Sequence, residues 1–319
     1  MVQLGYALSS EEHPARDLVR FARRAEEAGF SFALISDHYH PWTDKQGNSP
    51  YAWSVLGGIA QATNKLRIGT GVTCPTMRYH PAIIAQAAAT VADMMPGRFF
   101  LGVGTGEALN EHIHGEHWPP ADVRLEMLLE AVEIIRELWT GEEQTIYSNY
   151  YTVENARIYT LPENLPPIYM AAVGDTSIQV AGQIADGLIS TVPREGMVER
   201  FDAAGGKGKP HYGQVKVCFA EDEQTARQTV LEWWPIAMLA GSLHVELPTP
   251  DHFEDAVKPF GLKDLPDSLV YGPDKKKHLD LIQKMIDAGY ENVYIHQVGP
   301  NQEGFFDFYQ REIIPEFRS

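Results

Sequence analysis

The sequence has little cysteine, little positive charge and no long apolar run. Two cysteines in 319 residues, Cys74 and Cys218, are too few for a disulfide framework or a cysteine-rich zinc site. The 26 Lys and Arg stand against 43 Asp and Glu, a net charge of −17. That balance lacks the basic footprint of a nucleic-acid binder, and it is repelled by an anionic lipid surface. No stretch approaches the roughly 18 apolar residues of a membrane span. The first residues, MVQLGYALSSEEHPARD, lack the basic-then-apolar pattern of a signal peptide. A soluble cytoplasmic protein is expected, with a small-molecule partner and no nucleic acid or membrane. What the chain does have is 44% hydrophobic residues, enough for a large core.

Strand-length apolar runs alternate with helical periods along the whole chain. Strands are predicted at 3–9, 32–36, 66–73, 98–103, 168–173, 188–192, 214–220 and 292–298. Helical segments are predicted between them, among them 15–28, 50–62, 81–95, 123–139, 177–185, 223–239 and 275–288, with 305–317 closing the chain. No low-complexity linker or charge block divides the βα units. Length alone suggests two domains, but the even spacing favours one (β/α)8 TIM barrel over 1–319. Insertions are expected near 141–160, read as a hairpin, and 240–271. In such a barrel the chemistry belongs where strands end and loops begin.

Those positions are rich in chemical groups. Strand two ends in Ser36-Asp37-His38-Tyr39-His40-Pro41-Trp42. Histidine exchanges a proton near neutral pH, and tryptophan can wall a ring and exclude water. Strand four ends in Gly102-Val103-Gly104-Thr105-Gly106-Glu107, where burial of Glu107 would raise its pKa. Small residues at the end of strand three, Gly71, Val72 and Thr73, with Cys74 just after it, suit backbone pressed against a flat ligand. Cys74 reads as a neutral wall residue, since no partner for a nucleophile accompanies it. Gly174, Asp175, Thr176 and Ser177 open a helix and can form an anion site from free N–H groups, or an ordinary helix cap. His112, His114 and His117 lack a recognisable ligand spacing, so no metal is expected.

Three segments together resemble the luciferase-like superfamily of α/β barrels, and within it the branch that uses the deazaflavin coenzyme F420. They are Ser36 to Trp42, Cys74-Pro75-Thr76-Met77-Arg78-Tyr79-His80-Pro81, and Gly104-Thr105-Gly106-Glu107-Ala108-Leu109-Asn110-Glu111. The resemblance implies that His38 is the active-site histidine, that Trp42 stands beside the reacting centre, and that Glu107 lies near N1 of the deazaflavin. It implies cofactor contacts at Asp37 and Asn110, and a phosphate loop at Gly174 to Ser177. It also implies a non-prolyl cis peptide at Gly71-Val72. Arg194 and His244 fall at substrate positions, beside Trp42.

Basic residues that the branch uses for a sugar phosphate are missing here. Leu243 precedes His244, and Leu265-Pro266-Asp267-Ser268 carries no cation. Lys207, Lys209 and His211 are the nearby candidates to replace them. A phosphate dianion needs paired cations or several N–H donors. The implied function is hydride transfer between C5 of F420 and a hydroxyl or carbonyl substrate: a sugar, sugar phosphate or secondary alcohol. The alternatives are an FMN-dependent monooxygenase of the same superfamily and a non-catalytic F420-binding protein. A homodimer is the family's common assembly.

Overall fold

The computed structural model describes residues 2–317. Its strands are β1 (Gln3–Leu8), β2 (Phe32–Ile35), β3 (Arg67–Thr70), β4 (Phe99–Val103), β5 (Gln144–Tyr147), β6 (Thr152–Ala156), β7 (Ile168–Ala171), β8 (Gly187–Ser190), β9 (His211–Cys218), β10 (Val270–Tyr271) and β11 (Asn292–Gln297). Eight of them pair in parallel in the order β11-β1-β2-β3-β4-β7-β8-β9, and β9 pairs again with β11 to close the ring. This is the expected (β/α)8 barrel.

Two segments stand outside the ring of eight strands. β5 and β6 form an antiparallel hairpin, held to the barrel by Tyr151 Oη donating to the Thr76 carbonyl at 3.2 Å. The later insertion holds short helices, Leu243–Glu246 and Pro250–Val257, and β10, which pairs with β9 beyond the end of β8. Boundaries differ from expectation in places. β3 stops at Thr70, where the chain turns into a cis Gly71-Val72 peptide. The helix expected over 223–239 ends at Trp233 and gives way to a tighter 3₁₀ turn at Pro235. The last helix starts at Gln302, capped by the Asn301 side chain.

Alternation along the strands builds two cores. Outward residues such as Leu4, Ala33, Ile68, Leu101 and Val217 meet the apolar faces of the surrounding helices. Inward residues make an aromatic floor. Phe32, Phe100, Tyr169 and Tyr212 pack with ring centroids 5.0 to 5.3 Å apart. Glycine makes room for two of these rings. Gly5 pairs with Phe32 and Gly69 with Phe100 across the ladders, and a Cβ at either would lie within 2.3 Å of the ring. Below the floor the Arg67 guanidinium donates to Tyr212 Oη at 2.9 Å.

The same geometry removes three cations from consideration at the mouth. His211 begins β9, at the opposite end of the barrel, and its ring lies between Glu291 at 2.9 Å and Asp202 at 3.1 Å. Lys209 donates to the Gly182 carbonyl. Lys207 follows the same turn and does not line the cavity. Among the described residues no helix is long and apolar enough to cross a membrane.

Candidate active site

A cavity of about 1800 Å³ opens at the C-terminal ends of the barrel strands and continues outward along the helix Lys275–Asp287. Its barrel-mouth part is where the strand-end side chains converge. His38, Trp42, Glu107, Asp37, Gly71, Val72, Cys74, Asn110, Gly174, Asp175, Thr176, Ser177, Arg194 and His244 all line it. Thr73 does not. Its hydroxyl donates to Asp37 Oδ2 at 2.7 Å, behind the wall: the strand breaks after Thr70, and where Thr73 pairs again with Val103 the alternation of the strand has not carried through.

His38 is the centre of the acid–base groups. Its Nε2 lies 3.2 Å from Glu11 Oε1 and 3.4 Å from Glu107 Oε2, and its Nδ1 lies 3.3 Å from the His40 carbonyl. The backbone carbonyl can only accept, so Nδ1 is assigned the proton and Nε2 faces the carboxylates. Glu11 is fixed by Ser9 and Ser36 hydroxyls donating to its Oε2 at 2.9 and 2.7 Å. Glu107 is set by Asn110, whose Nδ2 donates to Glu107 Oε2 at 3.1 Å. The same Asn110 accepts from the Tyr39 and His40 amides, so one amide aligns both loops. Enclosure by the cavity walls raises the Glu107 pKa; His38 opposes this shift and Glu11 adds to it.

A buried ion cluster underlies these loops. The Arg78 guanidinium donates to the Asp37 carbonyl at 2.7 Å and to Asp37 Oδ1 at 3.1 Å, and it lies 3.6 Å from Glu111 Oε1. The Arg78 amide donates to Glu111 Oε2, and Tyr79 Oη donates to Asp37 Oδ1. Every Asp37 oxygen is therefore taken by protein donors. Asp37 lines the cavity, yet its carboxylate acts as a post for the wall. Burial raises Glu111 to about 7, against the pull of Arg78.

A second glutamate–histidine pair seals the seam where the first and last strands meet. Glu12 Oε2 accepts from His296 Nε2 at 2.6 Å, and Glu12 Oε1 accepts from the Gly299 amide at 2.8 Å. Burial pushes Glu12 up, but His296 and these hydrogen bonds prevail and hold it below its ordinary 4.5. Its contribution to stability is thus present above about pH 4.5 and is lost as pH falls through the lowered value. Glu12→Gln is expected to cost about 3 kcal/mol at pH 7. The gap from wild type narrows at pH 4. Urea unfolding at the two pH values checks this, and a gap that widens on acidification refutes it.

One wall is built of small residues. Gly71 and Val72 join through the cis peptide, and Gly104, Gly106 and Ala171 continue the surface. Cys74 is 4% exposed, with Sγ 2.9 Å from Thr76 Oγ1, and burial pushes its thiol pKa up, which suits a wall and not a nucleophile. At the rim, no side chain caps the N-terminus of helix Asp175–Ile184, so its first amides are available to an anion. Across the cavity, Trp42 packs against His38, His244 and Phe253. His244 donates through Nε2 to the Ile236 carbonyl at 3.0 Å, leaving Nδ1 as an acceptor. Arg194 is exposed at the rim, and Leu243 is 40% exposed where a cation is missing.

Sequence reasoning missed Glu11, Gln214, Lys216, Trp234 and His296, all of which line the cavity. Glu11 follows the first strand, where the strand-end rule could have found it. Lys216 sits at an inward position between two outward valines, a parity signal in Gln214-Val215-Lys216-Val217.

The chain matches the family model for luciferase-like monooxygenase over residues 2–297. It is 36% identical to a protein of Microbacterium testaceum named F420-dependent glucose-6-phosphate dehydrogenase, over 99% of this chain and 98% of that one. A protein of the same name from Nocardia farcinica is 34% identical, over 100% and 98%. Among solved structures, an F420-dependent secondary alcohol dehydrogenase in complex with an F420-acetone adduct superposes with a TM-score of 0.92. It is 29% identical, over 100% of this chain and 99% of that one. The F420-dependent tetrahydromethanopterin reductase from Methanopyrus kandleri shares the fold, with a TM-score of 0.78 and 21% identity over 99% of each chain.

Proposed function

The chain belongs to the luciferase-like family, and we propose that His38, Glu11 and Glu107 are the proton-handling residues of an F420-dependent oxidoreductase acting on CH–OH groups. F420, when bound, supplies a carbon that accepts or gives hydride. The cavity fits such a group: a flat wall of small residues, an uncapped helix N-terminus for phosphate, and space left for substrate. Gly71, Val72, Cys74 and Gly104 would border the ring, and Gly174 to Ser177 the phosphate.

The observation that carries the assignment of roles is the placement of His38 Nε2 between two carboxylates at the cavity. His38 takes the hydroxyl proton of the substrate at Nε2. Glu11, pinned by two serines, stabilises the imidazolium that results. Glu107 is kept toward its protonated form by enclosure and can hold or give a proton on the cofactor side. Trp42 and His244 orient the substrate and exclude water.

Titration of the purified protein with F420 and with FMN, followed by fluorescence, tests the cofactor. Micromolar binding of F420 and none of FMN is expected; binding of FMN alone overturns the reading. Turnover is then screened by F420 absorbance with glucose 6-phosphate, free sugars and secondary alcohols. On the family resemblance, the reading extends to one barrel domain over 1–319 working as a cytoplasmic homodimer.

A further inference from the structure

In a closed ring of eight strands, members four apart face each other. β3, which leads into the Gly71-Val72 wall, is opposite β9, and β4 is opposite β11. The inner face of β9 and β11 therefore looks at the cofactor wall across the space left for substrate. It carries Gln214 and Lys216 on β9, in register with Tyr294 and His296 on β11. His296 is taken by Glu12, and Tyr294 Oη is buried with no partner among the described residues.

Lys216 stands apart among these groups. Val215 and Val217 point into the outer core, which turns Lys216 inward. Among the described residues no carboxylate forms an ion pair with its ammonium. Its protein acceptor is the neutral Gln214 Oε1 at 2.9 Å, and the Trp234 ring lies 6.0 Å away. An ammonium has three donors, so two remain for a ligand. Leu243 and the 266–268 segment supply no cation at the rim.

We propose that Lys216 is a specificity-determining residue whose ammonium receives a second oxygen of the substrate, carried on a carbon next to the one that exchanges hydride. This rests on the F420-oxidoreductase reading. A carboxylate, carbonyl or hydroxyl oxygen there completes a donor set that the protein leaves open. A simple secondary alcohol does not. Burial also presses the ammonium down to about 8, against the pull of Glu11, which marks it as short of acceptors.

The test uses 2-propanol, 1,2-propanediol and lactate, which share the reacting CH(OH)CH3 unit and differ in the neighbouring group. F420-loaded wild type is expected to favour the last two. K216M and K216Q are expected to lose roughly 10- to 100-fold in kcat/KM on those two, through KM, and less than about 3-fold on 2-propanol. K216R retains the preference. Binding of each compound to the loaded protein is read in parallel from the fluorescence of Trp42 and Trp234. Equal losses on all three compounds, or unchanged KM in K216M and K216Q, overturn the proposal. So does a wild type that neither binds nor oxidises the oxygenated pair while still binding F420. Failure to bind F420 at all instead overturns the reading beneath it.

Discussion

His38→Ala and Glu107→Gln are each expected to lower turnover by about 10²- to 10⁴-fold at saturating substrate, with F420 affinity nearly that of wild type. The range is that of removing a positioned general acid or base. In His38→Ala the hydroxyl proton has no acceptor at the point where Nε2 stands, and Glu11 is left without its histidine partner. In Glu107→Gln the hydrogen bond with Asn110 can persist, so the loops keep their places, but the side chain no longer gives or takes a proton. The two variants differ in pH behaviour. Glu107 has a raised pKa, so the wild type loses the protonated form as pH rises through that value. A profile lacking that limb is expected in Glu107→Gln and retained in the residual activity of His38→Ala. Stopped-flow F420 absorbance and equilibrium fluorescence measure the two quantities. Near-wild-type turnover in either variant would falsify the assignment.

Arg78→Met is expected to cost about 3–5 kcal/mol of stability at neutral pH, the scale for stripping one partner from a buried ionic cluster. Arg78 is 8% exposed and is the cation between Asp37 and Glu111. Without it two carboxylates remain buried close together, and Glu111 loses the cation that pulls its pKa down. Glu111 already stands at about 7 against an ordinary 4.5. A raised carboxylate favours folding below its unfolded value, and that contribution is lost as pH rises through the folded one. The variant should therefore be least impaired near pH 4.5 and most impaired above pH 7. Denaturant unfolding across that range, with F420 affinity measured at the most stable pH, separates loss of fold from loss of the site. A penalty independent of pH would sink the explanation.

The barrel was legible because its outward residues are apolar at period two and its helices show a clear 3.6 period. The strand-end rule then found His38, Trp42 and Glu107, since those side chains follow their strands directly. It misplaced Thr73, which pairs with Val103 after a break in the strand across which the alternation does not carry. It missed Lys216, whose signal is one ionisable residue inside an apolar strand, visible only once the inward parity is known. It placed Asp37 at the cavity, but gave no sign that Arg78, Thr73 and Tyr79 donate to its carboxylate. Which donors a buried carboxylate accepts from depends on residues up to 42 positions away, and local pattern carries no such information. The Gly5–Phe32 and Gly69–Phe100 pairs are of the same kind: each glycine is ordinary alone and necessary beside its ring.

The neighbouring glutamates Glu11 and Glu12 reach in different directions, one to His38 and the other to His296. The segment that places Glu11 beside His38 is thereby tied to β11, the strand that pairs with β1 to close the ring. The alignment of these groups is therefore a property of the closed ring, and a chain in which β11 has not docked on β1 lacks it even though His38, Trp42 and Glu107 are all present.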